Sequence, residues 1–341
     1  MKRNIKKFLF PAVAVAVLSF AACSDWTETE SLDINYPTLE EQNPELYKQY
    51  LKALRDYKAG EHKVVLVSMD NTTSAPAQRN EHLTTMPDSV DIICLMNPDN
   101  LHPTLAGEFA KVREKGTRVI YNIDYNAIEK LWEKVLADEE ANKPEEPTNP
   151  STPEATEDEG GEGGGEGEPT PEEELELRFL EFCRQQTVSQ LNLCAKYGYD
   201  GVQVNYTGRA PQAMQEEEKA QYAARQEAFF SNVKTWNEAN SGKVLVFQGN
   251  PQNLIDKSVL GECDYIVIPA LTATSADKMS FAVLMAAVED VPTDRFVIGV
   301  TTPSLTDLSD ESGYFSGYEA DGKTRVRATK GAAPVSYTHL R

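Results

Sequence analysis

The sequence predicts an α/β fold: a parallel, TIM-barrel-like (β/α)8 barrel that runs out before its eighth strand. Strand-like apolar stretches occur over 63–70, 90–96, 117–125, 199–207, 243–248, 265–271 and 295–301. Helical patterns separate most of them, and strands alternating with helices give parallel pairing. Seven strands exceed what a short doubly wound sheet needs, so the closed eight-stranded barrel is the natural completion. The stretch over 199–207 adds a third observation. Val202, Val204 and Tyr206 lie on one face, and Gln203, Asn205 and Thr207 on the other. A strand buried on both sides should be apolar throughout. A polar face has a place in a barrel, where it looks into the lumen and the carboxyl end of the strand opens onto a site.

Taken in order, the chain begins with a basic segment, Lys2, Arg3, Lys6 and Lys7, followed by an apolar run over 8–22. That run is too short and too early for a stable membrane span and reads as a signal peptide, 1–22. Phe20-Ala21-Ala22-Cys23 resembles a bacterial lipobox, with Phe20 an imperfect fit, so Cys23 is the expected lipidation site. Plain secretion with cleavage nearby is the alternative. An acyl anchor holds a chain to a membrane without a spanning helix. Ser24-Asp25 resembles the acidic export signal of surface lipoproteins in the Bacteroides group, which implies the outer membrane and its cell-surface side. Residues 23–43 form the tether and 44–341 the barrel.

Asn43 is the expected N-cap of a helix to about residue 57, with Pro44 in its first position. After the second strand, Asn97-Pro98-Asp99 turns the chain, and a helix over 103–115 stops at Gly116. A short helix around Trp132 follows the third strand. A long helix runs over about 171–197, and Gly198-Tyr199-Asp200-Gly201 ends it and turns into the fourth strand. Further helices are expected over 215–240 and 276–289. Residues 304–330 are polar and turn-rich, and no eighth strand is visible. The ending Pro334-Val335-Ser336-Tyr337-Thr338-His339-Leu340-Arg341 resembles translated sequencing adapter, so the natural chain is expected to continue. An incomplete barrel leaves the first and seventh strands with unpaired edges.

Between the third strand and the long helix lies an acidic insert, 138–172, of Glu and Asp set among Pro, Gly, Ser and Thr. Such a run cannot bury enough apolar surface to offset its ordering entropy and reads as a disordered loop. It lacks the D-x-D-x-D-G spacing of a calcium loop. The net charge is -21, with no basic patch beyond the leader, which argues against nucleic-acid partners. Cys94, Cys183, Cys194 and Cys263 show neither C-x-x-C spacing nor histidine partners, so no metal is expected. Cys183 and Cys194 stand ~16 Å apart along one helix, too far for a bridge. No disulfide and no cofactor are expected.

The fourth strand, Asp200-Gly201-Val202-Gln203-Val204-Asn205-Tyr206-Thr207, resembles the D-G-x-D-x-D-x-E motif of glycoside hydrolase family 18, the chitinases and endo-β-N-acetylglucosaminidases. Asp200 and Gly201 match. Gln203 and Asn205 replace the inner aspartates, and Thr207 replaces the glutamate. The resemblance implies that the glutamate is the general acid and that the aspartate before it orients the substrate's N-acetyl group, which attacks the anomeric carbon itself. A general acid needs a proton that leaves near the working pH. Neither threonine nor the amides ionise there. The family's sixth-strand M-x-Y-D is replaced by Ile268-Pro269-Ala270-Leu271, and its third-strand glycine-rich motif is not visible. A chance match on an ordinary strand is the plainer alternative.

Within a barrel the strand ends supply the pocket: Asp70 and Asn71, Asn97, Asn122 and Asp124, Gln203, Asn205 and Thr207, Gln248 and Asn250. Amides predominate, and they both donate to and accept from sugar hydroxyls. Tyr125, Tyr206, Tyr314, Phe315 and Tyr318 offer flat faces to sugar rings, although packing is the commoner use of each. The leading expectation is a lipid-anchored protein that binds N-acetylglucosamine-containing glycans, N-glycan or chitin-like, without hydrolysing them. One alternative is an active hydrolase using Asp124 or Asp70 as a non-standard acid. Another is a scaffold subunit in a complex with an outer-membrane transporter.

Overall fold

The structure, a computed structural model, describes residues 37–71, 75–142, 169–304, 307, 309–311, 313–318 and 325–329. Cys23, the leader, most of the tether and the middle of the acidic insert lie outside the described residues. The chain falls into two compact units, 1–53 and 54–341. The first carries a helical turn, Leu39–Gln42, and the start of α1, Pro44–Ala59. Asn43 caps α1 as expected: its Oδ1 accepts from the Leu46 amide at 3.1 Å.

The second unit is built on seven parallel strands in sequential order, β1 Leu66–Met69, β2 Ile92–Leu95, β3 Arg118–Asp124, β4 Gly201–Tyr206, β5 Val244–Gly249, β6 Tyr265–Pro269 and β7 Phe296–Gly299. They curl into a half-barrel. Sequential order with every neighbour parallel requires a crossover after each strand, and helices supply most of these. They are α2 Pro103–Glu114, α3 Tyr125–Ala141, α4 Pro171–Tyr197, α5 Glu216–Ala239, the short α6 Ser258–Glu262 and α7 Ala276–Ala286. Among the described residues β1 and β7 pair on one side only, so the sheet stays open.

Two apolar clusters identify the faces. The larger joins Val202, Val204, Tyr206, Leu245 and Phe247 to helix residues such as Phe229, Phe230 and Val233, and lies between sheet and helices. The smaller, Ile92, Cys94, Ile120, Val244, Val246 and Val267, draws on strands alone and fills the lower lumen. The four cysteines of the described residues are free and buried. Burial pushes the thiols of Cys94 and Cys263 up, and that of Cys183 up to about 11, so each is a packed small residue and not a nucleophile.

Asp200-Gly201 has a structural reason. A Cβ on Gly201 would stand 2.1 Å from the carbonyl oxygen of Val244, so only glycine lets β5 approach β4 here. Asp200 anchors the strand's start by accepting from the Val119 amide at 2.8 Å and pairing with Arg113 at 2.9 Å. Gly198, at φ 71, ends α4 in the left-handed conformation, as its place after the helix predicts.

Three expectations shift. Residue 125 does not end the third strand. Asp124 caps α3, which starts at Tyr125 and is far longer than a short helix around Trp132. The acidic insert is narrower than 138–172, because α3 continues to Ala141 and α4 begins at Pro171. There a Thr170–Glu173 capping box and an acidic first turn favour helix over loop. Finally, the polar stretch after β7 holds an antiparallel hairpin, β8 Tyr314–Tyr318 with β9 Arg325–Thr329.

Candidate functional site

The lumen changes character along the strands. Its lower layer is the apolar cluster just described. One step toward the carboxyl ends, Asn122 and Gln203 are register partners, and above them Asp124, Asn205 and Gln248 form the next row. Period-two alternation places all five on the lumen face, opposite Val202, Val204 and Tyr206. The polar face read from the fourth strand is thus the floor of a barrel mouth.

Gln203 is the centre of that floor. It is fully buried, and its Nε2 donates to Asn122 Oδ1 at 3.0 Å and to Gln248 Oε1 at 2.7 Å. These bonds tie β3, β4 and β5 together through one carboxamide. Its Oε1 is buried with no partner among the described residues. A buried acceptor without a donor costs stability unless a ligand or solvent satisfies it.

Thr207 closes the end of β4. Its Oγ1 accepts from Asn126 Nδ2 at 3.0 Å, and its carbonyl accepts from Asn250 Nδ2 at 3.0 Å and Asn253 Nδ2 at 2.8 Å. Asp124 Oδ1 accepts from the Asn126 amide at 3.0 Å. On the far side of the mouth Asn97 Nδ2 donates to Asp70 Oδ1 at 3.0 Å, while Asn71 and the Asn97 backbone exchange two bonds of 2.8 Å. Asp70, Asn97, Asn122, Asp124, Gln203, Asn205, Thr207, Gln248 and Asn250 all stand at the strand ends or on the lumen side.

Tyr206 and Tyr125 do not. Both point to the helix side, where their rings pack 5.0 Å apart, and Tyr206 is fully buried, its hydroxyl accepting from Gln226 Nε2 at 2.9 Å. Strand alternation forces this, since Tyr206 shares a face with Val202 and Val204. A ring there offers no platform to a ligand in the mouth. Phe315 packs on the small cluster of Ala270, Ala273 and Met279. The Tyr318 side chain lies outside the described residues.

The sequence reading missed the supporting residues Asn126, Asn253 and Gln226. Gln226 is buried, donates to Tyr206 and to the Asn253 carbonyl, and accepts from the Ile255 amide, which fixes the loop after β5 beneath Thr207. A signal was present: Asn-Pro-x-Asn occurs at Asn97–Asn100 and again at Asn250–Asn253. Both copies follow a strand and form a short 3-10 turn with proline first, from an asparagine at φ -124, ψ 83 in one and φ -108, ψ 86 in the other. The repeat builds the same rim twice.

Among the described residues no group of three or more His, Cys, Asp or Glu could hold a metal ion. At the motif positions 203, 205 and 207 stand two amides and a hydroxyl. The floor can hydrogen-bond a polar ligand, and those positions offer no titrating proton.

A model of glycoside hydrolase family 18, BT1044-like, matches residues 27–158 and 172–338. No curated protein matches in sequence. Among solved structures, a glutamate-to-glutamine variant of BT1044 is 15% identical, with a TM-score of 0.47 over 77% of this chain and 74% of its own. The chitinase domain of the spore coat protein CotE from Clostridium difficile is 10% identical, with a TM-score of 0.35 over 81% of this chain and 79% of its own. A family 18 chitinase from Pseudoalteromonas aurantia is 10% identical, with a TM-score of 0.42 over 72% of this chain and 83% of its own.

Proposed function

The chain belongs to glycoside hydrolase family 18, BT1044-like, and from that premise we propose that it binds N-acetylglucosamine-containing glycans at the mouth of its half-barrel without hydrolysing them. The observation that carries this reading is the substitution of the motif's acids by Gln203, Asn205 and Thr207 on a face that keeps its position and its hydrogen-bonding capacity. A carboxylic acid at the motif's last position would protonate the departing oxygen, whereas a threonine hydroxyl at neutral pH gives up no proton. Asn205 and Gln248, the half-buried amides in the row above Gln203, support binding, because each can both donate to and accept from sugar hydroxyls.

Calorimetric titration with tetraacetylchitotetraose, paired with chromatography of the same mixtures, tests the proposal. Saturable binding is expected, with the tetrasaccharide intact after prolonged incubation. Shorter products formed by the wild type would contradict it. One observation favours a hydrolytic alternative: Asp124 is the register partner of Asn205 and so brings a carboxylate beside the motif's inner position. Product formation abolished in Asp124→Asn would establish that alternative.

We further propose that the protein is held at the outer membrane through lipid on Cys23, on the resemblance of Phe20-Ala21-Ala22-Cys23 to a lipobox. Cys23→Ala is expected to move the protein from the membrane fraction to the soluble fraction. Unchanged fractionation would refute the anchor.

A further inference from the structure

The amino ends of the strands, opposite the mouth, enclose a cavity of about 350 Å³. Four cationic side chains line it: Arg55 and Lys58 near the end of α1, Arg113 on α2 and Arg118 at the start of β3. They come from two separate stretches of the sequence and form no basic run, so only folding gathers them. Two carboxylates share the cavity, and both are engaged. Asp91 accepts from His62 Nε2 at 2.9 Å and from the Val65 amide at 2.7 Å, and Asp200 holds Arg113 and the Val119 amide. Three of the cations fasten the fold. Arg55 Nη1 donates to the Glu114 carbonyl at 2.7 Å, and Lys58 Nζ donates to the Val90 carbonyl at 2.6 Å and to Thr117 Oγ1 at 2.7 Å. Arg118 fastens nothing. It is exposed on the lumen face of β3, two residues before Ile120 of the lower apolar cluster, and its side chain makes no hydrogen bond or ion pair with a described residue. Tyr265 opens β6 on the same face, and its hydroxyl also has no hydrogen-bond partner among the described residues.

We propose that this cavity binds a phosphate monoester group, with the Arg118 guanidinium as its principal donor. A guanidinium presents its N–H groups as a planar fork that matches two oxygens of one phosphate. Lys58 has a third ammonium proton beyond the two it uses, and Tyr265 adds a hydroxyl. Charge selects the phosphate. Four cations against two carboxylates leave an excess of positive charge, in a chain whose net charge is -21. A phosphate monoester brings about 1.5 to 2 negative charges near neutral pH and matches that excess, whereas a single carboxylate would leave part of it. Burial also holds the Lys58 ammonium below the ordinary lysine range, a cost that a bound anion would offset. The volume falls within the range of small-molecule pockets, about 300 to 1,000 Å³, so the phosphate is carried on a larger body. That body is a soluble phosphorylated molecule or a lipid whose headgroup is a phosphate monoester; the recognition chemistry is the same. The site lies at the opposite end of the strands from the proposed glycan mouth and does not depend on it.

Calorimetric titration of the full protein with glucose 6-phosphate and with glucose tests the site. The wild type is expected to bind glucose 6-phosphate at least about tenfold more tightly than glucose. Arg118→Ala should remove that preference, and it should leave the denaturant midpoint unchanged because the side chain holds no other group. Arg178→Ala, which takes one arginine from the surface of α4 outside the cavity, should leave the preference intact. Flotation with phosphatidylcholine vesicles, with and without phosphatidic acid, distinguishes the sources; it uses the Cys23→Ala protein, which lacks the proposed acyl anchor. Recruitment that needs phosphatidic acid and disappears on adding Arg118→Ala supports the site with a lipid headgroup as its ligand. Glucose 6-phosphate binding without recruitment supports it with a soluble ligand. No binding of either phosphate, a preference that survives Arg118→Ala, or equal losses in Arg118→Ala and Arg178→Ala would overturn it. Chitotetraose titrated into Arg118→Ala keeps the two readings apart, since binding at the mouth should be unchanged there whichever way the phosphate result falls.

Discussion

Asn205→Asp combined with Thr207→Glu is expected to give the chain a slow hydrolase activity above that of the wild type. The double variant restores the motif's last two acids and leaves Gln203 to hold the floor together. General acid catalysis contributes about 10²- to 10⁴-fold to a rate, so even an imperfectly placed glutamate should be visible against a wild type that has no proton to donate there. The surroundings suit the change. Asn126 Nδ2, which donates to Thr207 Oγ1 at 3.0 Å, would donate to the new carboxyl group. Asn205 is half-exposed, and Asn→Asp alters charge without altering shape. Release of p-nitrophenol from the diacetylchitobioside at least tenfold above wild type is the expected reading. A folded, ligand-binding double variant with no gain would mean that residue 207 does not face the leaving group.

Gln203→Leu is expected to destabilise the fold by about 2–4 kcal/mol and to abolish binding, and this is the largest stability effect predicted for any mouth residue. The leucine removes the donor shared by Asn122 Oδ1 and Gln248 Oε1 and leaves both acceptors buried or half-buried without it. Each such group costs about 1–3 kcal/mol. Denaturant unfolding measures the loss, with the slope unchanged if only the native state is affected. A loss under about 0.5 kcal/mol would show that the ladder of amides contributes nothing and that neighbouring side chains rearrange freely.

Much of this was legible in the sequence because it rests on periodicity. Alternation along 202–207 gave both faces of β4, and the structure keeps Gln203 and Asn205 on the lumen side of it. Pro171 and Gly198 marked the ends of α4, since proline fits a first helical turn and glycine a left-handed end. The failures share a cause as well. Aromatic chemistry alone offers Tyr206 and Tyr125 as sugar platforms, although the same alternation assigns Tyr206 to the core. The hairpin after β7 is not legible in the sequence because Gly317 and the polar residues around it look like turns, and strand pairing there depends on partners seven to fifteen residues away. Asn126, Gln226 and Asn253 act through loops that only folding brings together, so spacing alone could not assign them, apart from the repeated Asn-Pro-x-Asn.

The mouth is proposed to hold a glycan and to give it no proton. Nuclear magnetic resonance of one sample reads both halves at once: side-chain amide signals of Gln203, Asn205 and Gln248 report binding, and anomeric signals report cleavage. On adding tetraacetylchitotetraose, those amides are expected to shift to saturation while no new reducing-end signal grows over days. Growth of new reducing ends in the wild type, or amides that stay unmoved at saturating sugar, would contradict the account.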